Sequence, residues 1–200
     1  MPTILVDNFN SYNDGDLNGQ GDWSGDVSFD VQGDVVFDDG GVTKKAVRLI
    51  NVGDGAKTIS KIGNQVADGK ITVYLRYSSA ATDAGFMLYE GNNVIVYFML
   101  YGGQVWCHNG TTWIKFDFDP GKDWHSVEVE WRSSDKKVRY RVDEITWSSW
   151  DTAYGGNFVN YLNRVDFYHY YSGTVYYDCI AENPYTPPPP PAGRSQGLIF

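Results

Sequence analysis

The sequence predicts an all-β protein built as a two-sheet antiparallel β-sandwich. Aromatic residues make up 16% of the 200 residues and glycine contributes 22, which is typical of strands joined by tight turns. About a dozen segments show two-residue periodicity between Gly, Asn and Asp turns, and no segment shows a convincing helical period. We place one sandwich domain at residues 1–184 and an extended proline-rich arm at residues 185–200.

The clearest strand pair is a hairpin over residues 124–147. Valines and aromatic residues alternate with charged residues on both of its strands, and a polar turn lies between them. One register matches apolar with apolar and acid with base. It pairs Trp131 with Val138, Glu130 with Arg139, and Glu128 with Arg141.

Other strands are predicted along the whole chain. The segment 93–101 is apolar on both faces, which indicates a strand covered on both sides or one whose second face lines a groove. The remaining predicted strands are 3–6, 27–31, 35–37, 46–50, 58–62, 70–78, 84–90, 104–108, 112–117, 162–171 and 174–182.

The net charge limits the classes of binding partner, and the cysteine spacing limits the metal and redox chemistry that we expect. The chain has 16 basic and 25 acidic residues, so nucleic acid and anionic membrane surfaces are not expected partners. The start, MPTILVDNF, shows neither a signal peptide nor a run long enough to span a bilayer. Cys107 and Cys179 have no metal-site or redox spacing, and we expect reduced, buried thiols, although a disulfide would form if the fold made them adjacent.

A loop rich in Gly, Asn and Asp carries part of a calcium-loop signature. The matching oxygen-bearing residues are Asp14, Asp16, Asn18 and Asp22. Gly25 stands where a bidentate Glu is needed, and no helices flank the loop. We favour a turn-rich surface loop, and a Ca²⁺ site built partly from these oxygens is the alternative.

Four stretches in order carry a resemblance to a known family: DNFNSY, GDLNGQGDW, WHSVEVEW with VRYRVD, and GTVYYDCIAENP. Together they resemble the concanavalin A-like or laminin G-like jelly roll of lectin, glycanase-associated and virion proteins, from Asp7 to about Pro184. The resemblance implies that the first and last strands are neighbours. Asp7 would then lie near Asp178, with a structural cation between them or with each carboxylate accepting backbone hydrogen bonds.

No catalytic residue is predicted. Glu128 and Glu130 share a face about 7 Å apart, a usable glycosidase spacing. Laminarinase-type hydrolases of this fold carry Glu, any residue, Asp, any two residues, Glu, and the third carboxylate is absent here. Arg139 and Arg141 would also lower both acidities, so we interpret the glutamates as cross-strand ion pairs.

The histidines suggest a second kind of chemistry. His169 lies near Tyr168, Tyr170 and Arg164 in sequence, and a polysaccharide lyase uses such a base and cation. Strand alternation puts His169 on the other face from Arg164, so we expect a packed histidine. His108 and His125 are isolated in sequence and do not form a metal triad with it.

Aromatic residues are the candidate binding groups. Their rings could stack on sugars, or they could serve as core and interface residues. The candidates are Tyr101, Trp106, Trp113, Trp147, Trp150 and Tyr154.

The C-terminal arm favours an assembly role over carbohydrate binding. The run from Pro187 to Pro191 should extend for about 15 Å as polyproline II, and the chain ends in Leu198, Ile199 and Phe200. These features favour a non-enzymatic assembly protein of a virion or appendage surface, whose arm docks on copies of itself or on other particle proteins. The alternative is an extracellular carbohydrate-binding module, ahead of a polysaccharide lyase or glycoside hydrolase.

Overall fold

Two antiparallel sheets pack face to face and confirm the predicted β-sandwich. The computed structural model describes residues 9–26, 29–36, 43–53, 55–77, 83–108, 111–116, 124–143, 147–152, 154 and 160–182. The strands in these ranges are β1 (Gly15–Asp16), β2 (Trp23–Gly25), β3 (Phe29–Val36), β4 (Thr43–Asn51), β5 (Lys57–Val66), β6 (Asp68–Tyr77), β7 (Ala84–Glu90), β8 (Asn93–Tyr101), β9 (Gln104–His108), β10 (Trp113–Phe116), β11 (His125–Arg132), β12 (Lys137–Val142), β13 (Asp151–Thr152), β14 (Leu162–His169) and β15 (Gly173–Glu182).

The strand order separates sequence neighbours. One sheet has eight strands in the order β1-β3-β4-β15-β6-β11-β12-β13. The other has seven, in the order β10-β9-β8-β7-β14-β5-β2. The last two strands of the described residues, β14 and β15, therefore each lie between earlier strands of their sheet.

The core lies between the sheets and follows the alternation of the strands. Trp131, Tyr140 and Tyr177 from one sheet meet Phe86 and Phe98 from the other, and all five side chains are fully buried. Phe167 stacks on Tyr177 with ring centroids 4.3 Å apart. Each strand thus turns one row of side chains inward and the alternate row to an outer face.

The predicted hairpin register is confirmed. Trp131 pairs with Val138, Glu130 with Arg139 and Glu128 with Arg141. Arg139 binds Glu130 at 2.5 Å, Arg141 binds Glu128, and Lys70 on β6 also binds Glu128 at 2.6 Å. The hairpin glutamates are therefore scaffold, as the charge pattern predicted.

Other expectations met different outcomes. The loop before residue 27, predicted to be irregular, contains the short strands β1 and β2. Cys107 is a free, buried thiol whose pKa is raised by burial. Strand 3–6, Asp7 and the arm with Pro187, Pro191, Leu198, Ile199 and Phe200 lie outside the described residues. Across the described ranges, no helix is both long and apolar enough to cross a bilayer.

Candidate functional site

The outer face of the seven-stranded sheet, here called the aromatic face, holds the densest set of rings and hydroxyls. One cross-strand row runs through Tyr97, Met87, Asp166 and Ser60. The adjacent row runs through Lys115, Trp106, Met99, Gly85, Tyr168 and Thr58. Asp166 and Tyr168 are buried although they point away from the core, so this face is recessed.

Edge-to-face ring contacts organise one side of the aromatic face. The Tyr97 ring centroid lies 5.0 Å from that of Trp113, 5.7 Å from that of Tyr154 and 5.5 Å from that of Tyr168. His108 contacts both Trp113, at 5.1 Å, and Tyr154, at 4.5 Å. Edge-to-face packing holds each ring in one orientation, which makes the cluster a rigid wall.

An ion pair occupies the floor of the same face. Arg164 donates two hydrogen bonds to Asp166, Nε to Oδ1 at 2.7 Å and a terminal nitrogen to Oδ2 at 2.6 Å. The guanidinium also lies 4.4 Å from the Tyr89 ring centroid. Its hydrogen bonds to Asp166 raise the pKa of Arg164. The carboxylate is thereby neutralised by its neighbour on the same strand.

Tyr168, beside this ion pair, extends its ring over Gly85 of the neighbouring strand. Tyr168 pairs with Gly85 on β7, and its hydroxyl donates to the Phe98 carbonyl on β8 at 3.2 Å, so the ring spans β7 at Gly85. A Cβ at Gly85 would stand 2.1 Å from the Phe98 carbonyl oxygen. Only glycine fits this close approach of β7 to β8.

The tyrosines of the aromatic face stay neutral. Burial raises the pKa of Tyr89, with the Asp166 charge adding to the shift. Burial also raises the pKa of Tyr97 and, well above the ordinary value, that of Tyr168. These residues are therefore neutral phenols near neutral pH, and not phenolate bases. The hydroxyl of Tyr168 donates to Phe98 and that of Tyr89 to Sδ of Met87.

Carboxylate spacing limits what the aromatic face can do chemically. Glycosidases need two carboxyl groups about 5–9.5 Å apart. Asp166 pairs with Arg164, and Asp83, just before β7, is four residues from the Met87 that faces Asp166, about 14 Å by strand rise. Glu90 already accepts hydrogen bonds from Asn160 at 3.3 and 3.4 Å. Within the described residues, this face supports stacking and hydrogen bonding better than hydrolysis.

The predicted glycan-binding aromatics divide between the two outer faces. Trp106, Trp113 and Tyr154 belong to the aromatic face, and Tyr101 lies at the end of β8 with its carbonyl 3.3 Å from Nε1 of Trp106. Trp147 and Trp150 lie on the opposite sheet. There Arg139 is 4.5 Å from each of their centroids, Arg141 is 4.8 Å from that of Trp147, and Arg132 is 3.8 Å from that of Trp150.

The predicted metal residues of the loop before residue 27 have different surroundings. Asp14 pairs with Lys45 at 2.9 Å, Asp16 accepts from the Asn18 amide, and Asn18 accepts from the Gly25 amide. Asp22 has a φ of 66° in a turn. Among the described residues, no three acidic, histidine or cysteine side chains are grouped to hold a metal.

Asp178 is buried on β15, with its cross-strand partner Tyr74 on β6. The predicted cation between Asp7 and Asp178 stays a prediction, because Asp7 lies outside the described residues.

The histidines occupy three different environments. His169 faces the core, as predicted, where it is fully buried away from any substrate, and burial lowers its pKa to about 4. His125 pairs with Asp143 at 2.6 Å, and His108 belongs to the ring cluster, where burial lowers its pKa.

Sequence reasoning missed several residues of this face: Tyr89, Tyr97, Asp166 and Asp83. They converge because β14 inserts between β7 and β5, a pairing between distant segments. One signal was available, since the second apolar face of segment 93–101 contains Tyr97 and Met99 and does line the recess.

Solved structures share this fold at low sequence identity. A sialidase matches with a TM-score of 0.63 and 11% identity over 91% of this chain, which spans 19% of the sialidase. A glycosyl hydrolase family protein of Mycobacterium fortuitum matches with a TM-score of 0.59 and 12% identity over 90% of this chain and 98% of its own. A Bacillus licheniformis beta-glucanase matches with a TM-score of 0.57 and 11% identity over 88% and 95%. No family model and no curated protein matches the sequence.

The fold is therefore a concanavalin A-like jelly roll, as the sequence resemblance implied. The prediction of a non-enzymatic virion or appendage subunit is wrong. The structures that share the fold across the chain include a glycosyl hydrolase family protein, a glucanase and a transglycosylase. These neighbours favour the carbohydrate alternative that the sequence analysis ranked second.

Proposed function

We propose that this protein binds carbohydrate on the aromatic face and does so without cleaving it. The observation that carries the proposal is a rigid wall of rings beside neutral tyrosine hydroxyls in one recess. Sugars present CH faces that stack on aromatic rings and hydroxyl edges that exchange hydrogen bonds. The carbohydrate-directed names of the structural neighbours support the same class of ligand.

Two observations favour binding over cleavage. Asp166 is held by Arg164 through two hydrogen bonds, and Asp83 on the same face is about 14 Å away by strand rise. Lyase chemistry needs a ready base and a cation to neutralise a uronate. Here the pKa values of Tyr89 and Tyr168 are raised, so neither is a ready base. The positive charge of Arg164 is already paired with Asp166.

Binding is tested by affinity electrophoresis and calorimetry with a neutral β-glucan, a mucin-type O-glycan and a polyuronate. We expect binding to at least one of them, weakened roughly tenfold in Trp106→Ala because about 1.4 kcal/mol of stacking is lost. Trp147→Ala is the matched control, since this ring lies on the opposite sheet against Arg139 and Arg141.

Two results would contradict the proposal. Loss of binding in Trp147→Ala with full binding in Trp106→Ala would move the site to the other sheet. Release of new reducing ends or unsaturated products from any of the polysaccharides would show that the protein cleaves its ligand.

A further inference from the structure

We infer that Asp83 accepts the sugar hydroxyls in this recess and makes the site selective for neutral sugars over uronates. The inference rests on the proposed function. Asp83 directly precedes β7 and stands two residues before Gly85, so one further step of strand alternation puts its side chain on the aromatic face.

One oxygen of the Asp83 carboxylate has no hydrogen-bond partner in the part of the chain that the structure describes. This atom, Oδ1, is buried. Burial raises the pKa of Asp83, consistent with this partial desolvation. A desolvated carboxylate gains more from a new donor than a hydrated one does, because its lost water contacts are replaced.

Rings suited to stacking adjoin this carboxylate. Ala84 pairs with Leu100, so one further step of the same antiparallel register sets Asp83 opposite Tyr101. Tyr101 is 49% exposed, and the indole of Trp106 leans toward it through the Nε1 bond to its carbonyl. The Tyr170 amide donates to the Asp83 carbonyl at 2.7 Å and fixes the backbone of this corner.

The charges around Asp83 define the class of ligand that this part of the aromatic face would bind. A sugar ring stacked on Trp106 or Tyr101 turns its hydroxyl edge toward Asp83, which can only accept while ionised. A uronate would bring a second carboxylate to the same place, where like charges repel. Arg164 is already neutralised by Asp166. Lys115 on β10 lies three strands from β7, about 14 Å by strand spacing, so its attraction for a uronate beside Asp83 is screened.

The test is calorimetry of the wild-type chain, Asp83→Asn and Asp83→Ala with neutral gluco-oligosaccharides and with oligouronates. We expect the wild type to prefer the neutral ligand and both variants to bind it about tenfold more weakly, a loss of about 1.4 kcal/mol. The preference over uronates should narrow, because the repelling charge is gone. Asp135→Asn is the matched control, an exposed acid in the turn of the opposite sheet.

The outcomes separate the two claims. Neutral-sugar binding that is unchanged in both Asp83 variants would overturn this inference and leave the proposed function standing. A wild-type preference for uronates would overturn it as well. Failure of the wild type to bind any glycan would overturn both. Thermal unfolding of each variant shows that a loss of binding is not a loss of fold, and Tyr101→Ala gives an independent loss at the same corner.

Discussion

Arg164 donates two hydrogen bonds to Asp166, one to each carboxylate oxygen. The two residues lie on the same strand with a single residue between them. Alternation puts both on the aromatic face, and the carboxylate is only 1% exposed. Two residues on one strand thus form a self-contained neutral unit that neighbouring strands pack against.

Breaking this ion pair should destabilise the fold. Arg164→Met leaves a buried carboxylate without its cation, and we expect the free energy of unfolding to fall by about 3 kcal/mol in urea denaturation. The double variant Arg164→Met with Asp166→Leu should recover most of the loss, since the unpaired charge is removed. A single variant as stable as the wild type would show that the pair contributes nothing.

Acidification should destabilise the protein through His169. Its folded pKa is about 4 against about 6.5 in the unfolded chain, so only the unfolded state takes up the proton between these values. The free energy of unfolding should fall by up to about 3 kcal/mol as the pH drops from 6.5 to 4, and His169 should add nothing further below that. Denaturation of wild type and His169→Leu across this range isolates the contribution, and parallel pH curves would refute it.

Gly85 should tolerate no side chain. In Gly85→Ala the new Cβ would stand 2.1 Å from the Phe98 carbonyl oxygen, so β7 and β8 must separate. We expect a loss of about 2 kcal/mol or more in thermal unfolding, with weaker glycan binding because Tyr168 crosses the same point. The control is Gly53→Ala, where a Cβ meets nothing within 4 Å and stability should stay within about 0.5 kcal/mol.

The tryptophan and arginine stack on the opposite sheet should act on stability alone. Trp150 contacts Arg132 and Arg139, and each cation–π contact contributes about 0.5–1 kcal/mol. Trp150→Ala should therefore lower the melting temperature while glycan affinity is unchanged. Reduced affinity in a folded Trp150→Ala protein would show that the stack takes part in binding.

Local patterns predicted the parts of this fold that are local. The register of β11 with β12 followed from alternation and charge matching between adjacent segments, and strands 84–90, 93–101 and 104–108 lie where they were predicted. Turn-rich stretches were less informative, because β1 and β2 are too short to show periodicity.

The candidate site was harder to predict because it is assembled from distant segments. Trp106 and Trp150 were both predicted as glycan-binding rings, and the structure separates them because each lies on a different sheet. Asp166 lies between Met87 and Ser60 on the neighbouring strands, and these three residues are far apart in the sequence. The pairing of β14 with β5 and β7 supplies that information.

The positions of β14 and β15 also set the order in which the chain can mature. Each fills the gap between two strands made much earlier, β14 between β5 and β7 and β15 between β4 and β6. Before residues 162–182 leave the ribosome, β4, β5, β6 and β7 each lack one of the strands that they pair with in the folded protein. Unpaired strand edges invite association with other chains, and long-range closure is slow. Both sheets become continuous only when residues 162–182 insert, so the recess on the aromatic face cannot be complete before that step.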